Sequence, residues 1–118
     1  MSIYAKDTSV SVEKSRAEIE SILSRYGASA FAYATSMGRA MIQLQANERR
    51  IMFVLTLPNP QEKIYTHRYA GKGTKFSDSE AYAKWEQACR QKWRCLALAI
   101  KAKLEAVVSG IATFEDEF

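Results

Sequence analysis

The sequence predicts an α+β domain, in which a helix, an antiparallel meander of three or four strands and a long C-terminal helix follow one another. Three observations predict this order. Apolar residues recur about every 3.6 positions before residue 27, every second position over residues 29–57, and again about every 3.6 positions after residue 77. The 118 residues suffice for one domain, so we assign residues 1–118 to a single unit. Within it we expect an extended N-terminal segment over residues 1–14 and an acidic tail over residues 111–118.

The first helix is predicted to begin at Ser15. Ser15 and Glu18 have the spacing of a capping box, in which each side chain hydrogen-bonds a backbone N–H at a helix start. The apolar residues that follow have steps of three and four and form one stripe: Ile19, Ile22, Leu23 and Tyr26. Gly27 is expected to end the helix because glycine readily takes the left-handed conformation.

Three alternating runs joined by two tight turns predict the antiparallel meander. We expect its strands over residues 29–35, 40–45 and 51–57. The third run is apolar on both faces, so it is predicted to be the central strand or to be covered on both sides. Residues 63–69, in the connection that follows Pro58 and Pro60, are a candidate for a fourth strand at the edge of the sheet.

The long helix is predicted to begin after Ser77, which forms a second capping box with Glu80, and to end at Gly110. At about 1.5 Å per residue it is roughly 45 Å long, whereas a strand of the predicted length spans about 23 Å. The sheet therefore cannot cover the whole apolar stripe. We expect the remainder to contact the first helix, the tail or a second copy of the chain, and we predict a homodimer through this helix. The stripe consists of Tyr82, Trp85, Cys89, Trp93, Leu96, Ile100, Leu104 and Val107.

Composition and motifs argue against an enzyme, a membrane span and a bound metal or cofactor. No apolar run reaches the roughly 18–20 residues that cross a bilayer, and the N-terminus lacks the apolar core of a secretory signal. The single histidine, His67, has no Cys or His nearby at metal-ligand spacing, and no catalytic triad can be assembled. Cys89 and Cys95 point to different faces of one helix and cannot bridge to each other, which favours a cytoplasmic location.

The charge distribution indicates an anionic partner. The chain carries a net charge of +4, and a helical wheel places cations and amides in one row beside the apolar stripe of the long helix. Such a row can follow a phosphate backbone, although the same side chains commonly cover the edge of a core. Glu86 also has the i+4 spacing that pairs it with Arg90. The row consists of Arg90, Arg94, Lys101, Gln87 and Gln91.

The connection before the long helix is the second basic element. Its cations alternate with tyrosines, and aromatic side chains among cations suit stacking on unpaired bases. Packing of the same tyrosines under the edge of the sheet is the alternative. The candidate residues are Lys63, Arg68, Lys72, Lys75, Tyr65 and Tyr69.

The order of the elements resembles the double-stranded-RNA-binding domain, in which the second helix presents basic residues to phosphates. In that family a cluster of lysines opens the second helix. Here residues 79–84 contain Glu80 where a cation is expected, and Lys84 alone matches.

A second similarity extends over nearly the whole chain. The segments that carry it are SRAEIE and RYGA near the N-terminus, RIMFVL followed by LP, and WEQ, RQKWRCLAL and IKAKLE in the long helix. Together they resemble a group of small uncharacterised phage and prophage proteins. The resemblance implies a viral or mobile-element origin, and it brings no activity and no functional residues.

These observations support three hypotheses. The first is a non-enzymatic phage or mobile-element accessory protein that binds nucleic acid through the basic helix edge and the basic connection, in the host cytoplasm. The second is a protein-binding inhibitor of a host nucleic-acid-targeting defence system, such as a CRISPR effector, in which the same basic surface occupies a guide- or target-facing site or touches an acidic patch. The third is a small structural or assembly protein.

Overall fold

The α+β architecture is confirmed. The structure, a computed structural model, describes residues 8–36, 38–46 and 48–110. The predicted tail and the first seven residues lie outside the described residues. In chain order the elements are α1 (Val12–Arg25), β1 (Ser29–Ser36), β2 (Arg39–Ala46), β3 (Arg49–Thr56), α2 (Lys63–Thr66), α3 (Arg68–Gly71) and α4 (Asp78–Val108). The three strands form one antiparallel sheet in the order β1-β2-β3.

Helix α1 begins earlier than the sequence predicts. Ser11 is its N-cap, and the Ser11 hydroxyl accepts a hydrogen bond from the Lys14 N–H at 3.1 Å. The predicted capping box at Ser15 is therefore wrong, and the extended N-terminal segment ends before Val12 instead of at residue 14. Ser15 lies inside the helix and is completely buried. Gly27 follows the helix with a φ of +91°, as predicted.

The core lies between one face of the sheet and the two long helices. Strand β2 supplies its centre, and helices α1 and α4 pack against each other across it. Of the three partners considered for the rest of the long apolar stripe, the first helix is thus one that it contacts. The buried residues of this core are Ile19, Ile22, Leu23, Ala40, Ile42, Leu44, Ala46, Trp93, Ala97, Ile100 and Leu104.

Strand β3 is at the edge of the sheet, and no described residue covers its outer face, so neither predicted placement, central or covered on both sides, is observed. Its only strand neighbour among the described residues is β2. Met52 and Val54 point away from the helices and are 56% and 51% exposed. The alternation pattern shows that both faces of this strand carry apolar side chains, but it does not show which strands lie beside it.

Residues 63–69 form no fourth strand. They form the helical turns α2 and α3, which are separated by His67, and His67 makes an isolated antiparallel bridge with Lys75. Two hydrogen bonds close the turn, from the Arg68 N–H to the Thr74 carbonyl at 2.9 Å and from the Phe76 N–H to the Thr66 carbonyl at 2.7 Å. The predicted strand fails because these local bonds satisfy the backbone without the sheet.

Helix α4 has the predicted bounds. The Ser77 hydroxyl accepts a hydrogen bond from the Glu80 N–H at 3.3 Å and donates one to the Glu80 carboxylate at 2.9 Å. Gly110 follows the helix with a φ of +80°. The middle of the stripe is buried, whereas Tyr82 near its start is 59% exposed. Neither α4 nor any other described helix combines the length and the apolar character that a membrane span requires.

Candidate nucleic-acid interface

Arg90, the first cation of the predicted helix row, is neutralised within α4. Its guanidinium forms a salt bridge with Glu86 one turn earlier and hydrogen-bonds the side-chain oxygen of Gln87. The Gln87 amide nitrogen in turn donates to the Thr8 carbonyl at 2.9 Å. Arg90 and Gln87 therefore fasten the segment before α1 to α4, and both side chains already have protein partners.

Arg94, the second cation of the row, is neutralised by α1. Its guanidinium forms a salt bridge with the Glu18 carboxylate, and the two side chains are only 21% and 32% exposed. Gln91 is half-buried and also interacts within the protein. Lys101 is exposed and makes no ion pair with any described residue. Within the part of the chain that the structure describes, the row predicted from the helical wheel thus contributes one free cation instead of three.

The basic connection keeps its cations in solvent. We call residues 61–77 the basic loop; it contains four cations and one acid, Glu62. All four cations are exposed: Lys63, Arg68, Lys72 and Lys75. Because the bridge between His67 and Lys75 joins its two arms, the loop presents these charges from a compact turn.

Tyr69 stands at the tip of the basic loop and is 83% exposed. Tyr69 and Ala70 both have left-handed backbones, with φ of 53° and 55°. A non-glycine residue in this region is strained, and such strain concentrates at ligand-binding and switch sites. Gly73 makes room for this arrangement, since a Cβ there would lie 2.6 Å from Tyr69 Cδ2 and 3.0 Å from the Arg68 carbonyl oxygen.

Tyr65, the other tyrosine of the loop, has a different environment. It is half-buried, and its pKa is raised first by burial and then by the nearby Glu62 carboxylate and the Cys89 thiol. Its proximity to Cys89 directs it toward α4 instead of toward solvent. Tyr65 therefore packs within the protein, and Tyr69 is the tyrosine of the loop that is exposed.

The base of the basic loop also holds Lys84, which the sequence analysis named only through the resemblance to the double-stranded-RNA-binding domain. Lys84 Nζ lies 5.1 Å from the centre of the Phe76 ring, and the Arg68 guanidinium lies 4.9 Å from the same centre. Arg68 also approaches the Glu80 carboxylate at 3.5 Å. The two cations converge only because the loop folds back on the first turns of α4, a tertiary contact that the sequence does not reveal.

The basic loop and Lys101 do not form one patch. Arg68 contacts Glu80 at the start of α4, and Lys101 follows twenty-one residues later. At 1.5 Å per residue they are separated by about 32 Å along the helix. The sequence-predicted residues therefore divide into an exposed basic loop, a neutralised middle section and a distant lysine.

The face of the sheet turned away from the helices is uncovered by described residues. Its cross-strand rows are Ala34–Met41–Val54 and Ala32–Gln43–Met52. Arg39 and Arg50 belong to the flanking rows, and both are exposed. The prediction missed both arginines because they read as turn residues. We call this surface the open face; it consists of Ala32, Ala34, Arg39, Met41, Gln43, Gln45, Arg50, Met52, Val54 and Thr56.

A cavity of about 360 Å³ separates the start of α1 from α4 and is lined by Arg16, Trp85 and Cys89, among other residues. The Arg16 guanidinium lies over the Tyr33 ring at 4.4 Å.

Burial raises the pKa of the Cys89 thiol, with the nearby Glu86 adding to the effect, so the thiol is held in its unreactive protonated form. Among the described residues no group of three His, Cys, Asp or Glu side chains is placed to bind a metal.

Comparison with protein-family models, curated proteins and solved structures finds no match to the chain. The two resemblances read from the sequence therefore stay predictions.

Proposed function

We propose that the protein binds an unpaired stretch of nucleic acid and that the basic loop makes the contact. The observation that carries the proposal is Tyr69, which is 83% exposed on a strained backbone among exposed cations. An exposed aromatic ring beside cations provides the two contacts that single-stranded nucleic acids use, base stacking and phosphate neutralisation. No chemical step on the nucleic acid is part of the proposal. By resemblance, the setting is a phage or mobile element acting in the host cytoplasm.

The state of the cations favours the basic loop over the helix row. Arg90 and Arg94 have carboxylate partners, so a phosphate would have to displace Glu86 and Glu18 before either arginine is available. Lys72 and Lys75 make no ion pair with any described residue. They therefore contact phosphate without breaking an existing interaction, and each contact gains the entropy of counterion release.

The test of the phosphate contacts is the salt dependence of binding. Fluorescence anisotropy with labelled single-stranded and duplex DNA and RNA gives the dissociation constant as a function of salt. We expect single strands to bind more tightly than duplexes. For Lys72→Ala combined with Lys75→Ala, the slope of log K against log salt is expected to fall by about 1.4, at about 0.7 per lost phosphate contact on a single strand.

The matched control is Lys101→Ala, which removes an exposed cation from the far part of α4. It is expected to leave the salt slope unchanged. If Lys101→Ala lowers the slope as much per charge as the loop variant does, binding follows total charge and the loop site is wrong.

The test of stacking is Tyr69→Ala. Loss of a stacked base is expected to weaken single-strand binding by about 1–3 kcal/mol without changing the salt slope. Tyr82→Ala is the control because Tyr82 is also a well-exposed tyrosine, at 59%, but belongs to α4. Equal losses for the two variants contradict a specific role for Tyr69.

A second candidate function is inhibition of a host nucleic-acid-targeting defence protein by direct contact. The observation that favours it is Ile64, which is 49% exposed on the same loop as Tyr69. An aliphatic and an aromatic anchor beside cations also suit a protein surface. This function predicts no oligonucleotide binding by the isolated protein, together with co-purification of a host protein that survives nuclease treatment and is lost in Tyr69→Ala.

A further inference from the structure

Strand β3 combines an edge position with the composition of a central strand. Its five middle residues, Ile51 to Leu55, are all apolar, and Met52 and Val54 are more than half exposed. Exposed edges are normally protected by charges, proline, bulges or short length. None of these protections lies within residues 51–55, and the pairing of β3 with β2 is regular over eight residues. The other edge, β1, has an irregular register between Ser29 and Ala32.

The backbone of β3 offers a row of hydrogen-bonding groups that no described residue uses. The Leu57 N–H donates to the Gly38 carbonyl at 2.8 Å, which makes these two residues a hydrogen-bonded pair. In an antiparallel ladder such pairs alternate with non-bonded ones. The backbone groups of Arg50, Met52, Val54 and Thr56 therefore point away from β2, and no described residue hydrogen-bonds them.

We infer that a second copy of the chain covers this edge, with the two β3 strands antiparallel and centred on Phe53. In this register Met52 of one copy lies opposite Val54 of the other, and Ile51 lies opposite Leu55. The two sheets join into one sheet of six strands, in which β3 has a strand on both sides. Each exposed apolar side chain of β3 then gains an apolar cross-strand neighbour on the open face.

Charge placement favours this partner and this register. Arg50 of one copy lies opposite Thr56 of the other, so the two Arg50 side chains are six residues apart along the strand, about 20 Å. That separation exceeds the screening length of roughly 8–10 Å at physiological salt. A register centred on Met52 brings the arginines closer together and sets Val54 opposite Arg50, whereas one centred on Val54 sets Met52 opposite Thr56. The pairing centred on Phe53 is therefore the most apolar one, and it keeps the arginines beyond the screening length.

The inference differs from the dimer predicted from the sequence, which used the long helix. The middle of the α4 stripe is buried inside its own chain, with Trp93 and Ile100 only 4% and 1% exposed. These side chains are not available to a second copy without unfolding the core. The inference also stands apart from the proposed nucleic-acid site, because no residue of the basic loop takes part.

The experiment is sedimentation of the full chain across a wide concentration range, after nuclease treatment so that bound nucleic acid cannot link two copies. We expect a monomer–dimer equilibrium. Val54→Lys is expected to weaken the dimer by about tenfold or more, because it replaces an apolar cross-strand pair with a charge and sets two like charges about 8 Å apart across the dimer. Circular dichroism melting checks that the monomer fold is kept, which is expected since Val54 is exposed in the monomer.

Ala34→Lys is the matched control. Ala34 lies in the same cross-strand row and on the same face as Val54, but on β1 at the opposite edge. It is expected to leave the dimer unchanged. If Val54→Lys and Ala34→Lys weaken the dimer equally, the two copies pack through their open faces. If neither variant weakens the dimer, the two copies meet at another surface. Each of these results overturns the inference, as does a chain that stays monomeric at every concentration.

A cross-link tests the register independently of affinity. Met52→Cys and Val54→Cys chains, mixed and mildly oxidised, are expected to form a disulfide-linked mixed dimer because these positions face each other. Each variant alone is expected to cross-link far less, since identical positions are about 8 Å apart in this register and a disulfide needs Cα atoms within about 7 Å. Equal cross-linking of the single variants and the mixture contradicts the proposed register.

Discussion

The Arg94 guanidinium of α4 forms a salt bridge with the Glu18 carboxylate of α1, and this contact joins two residues that are 76 positions apart in the sequence. Both side chains are mostly shielded from solvent, which strengthens their attraction relative to a surface pair. The bridge fixes the relative position of the two helices above the sheet. Arg94, which the sequence pattern predicts to contact an anionic ligand, therefore stabilises the fold.

Glu18→Gln is expected to lower the free energy of unfolding by about 1–2 kcal/mol, between the values for exposed and buried ion pairs. Urea denaturation measures the change, and Glu105→Gln on the exposed side of α4 is the control, expected within about 0.5 kcal/mol of the parent. The double variant Glu18→Gln/Arg94→Gln is expected to lose less free energy of unfolding than the two single variants lose in sum. Strict additivity contradicts a coupling between the two side chains.

Ser15→Ala is expected to stabilise the protein by about 1–2 kcal/mol. The Ser15 hydroxyl is completely buried and has no hydrogen-bond partner among the described residues. Removing an unsatisfied polar group relieves its desolvation penalty, and alanine has the better helix propensity. Thermal melting measures the gain, and Ser24→Ala on the exposed side of the same helix isolates the propensity part. A loss of stability in Ser15→Ala shows that the hydroxyl has a partner.

Gly73→Ala is expected to weaken single-strand binding by about fivefold or more, the lower range for loss of a stacked base. The added Cβ would lie 2.6 Å from Tyr69 Cδ2, so the ring has to leave its position although no charge changes. Thr74→Ala, at the next position, is the control and is expected to bind normally. Unchanged binding by Gly73→Ala indicates that the position of Tyr69 does not matter.

Tyr33 is expected to ionise late and to make stability depend on alkaline pH. Burial, followed by the hydrogen bond from its hydroxyl to Glu20 at 2.9 Å, raises the Tyr33 pKa from 10.0 to about 12. The unfolded chain then loses this proton at lower pH than the folded chain does. The stabilisation is complete below pH 10 and is lost as the pH rises toward about 12.

Tyrosinate absorbance during an alkaline titration measures this pKa, with Tyr33→Phe identifying the signal. Glu20→Gln is expected to move the Tyr33 pKa part of the way back, because burial remains while the negative charge is lost. A pKa that is the same in Glu20→Gln and in the parent contradicts the contribution of the carboxylate.

The order and type of the long elements could be predicted because periodicity is a local signal. The stripe from Ile19 to Leu23 and the capping serine at position 77 each depend on neighbours within one or two turns. The start of α1 was misplaced because Ser15, with Glu18 three residues later, has the capping-box spacing that Ser11 lacks. The complete burial of Ser15 depends on the packing of the folded chain and is not visible in this local pattern.

The candidate site was less predictable because charge neutralisation is a tertiary property. A helical wheel places Arg94 correctly beside the apolar stripe, but its partner Glu18 belongs to a different helix. Residues 63–69 were mispredicted for a different reason. Their alternation suggests a strand, but the left-handed backbones of Tyr69 and Ala70 turn the chain back. The exposed aromatic tip thus results from a backbone conformation that residue type alone does not specify.

The length of α4 gives the molecule an elongated outline of 51 × 27 × 21 Å. Such a particle tumbles anisotropically, so amide N–H vectors along the helix axis and those across the sheet report different rotational correlation times in NMR relaxation. Joining two copies through their β3 edges enlarges the particle and reorients its long axis relative to α4. The ratio of transverse to longitudinal relaxation rates along the backbone therefore reports both the elongated shape of the protein and the association of two copies, without any substitution in the chain.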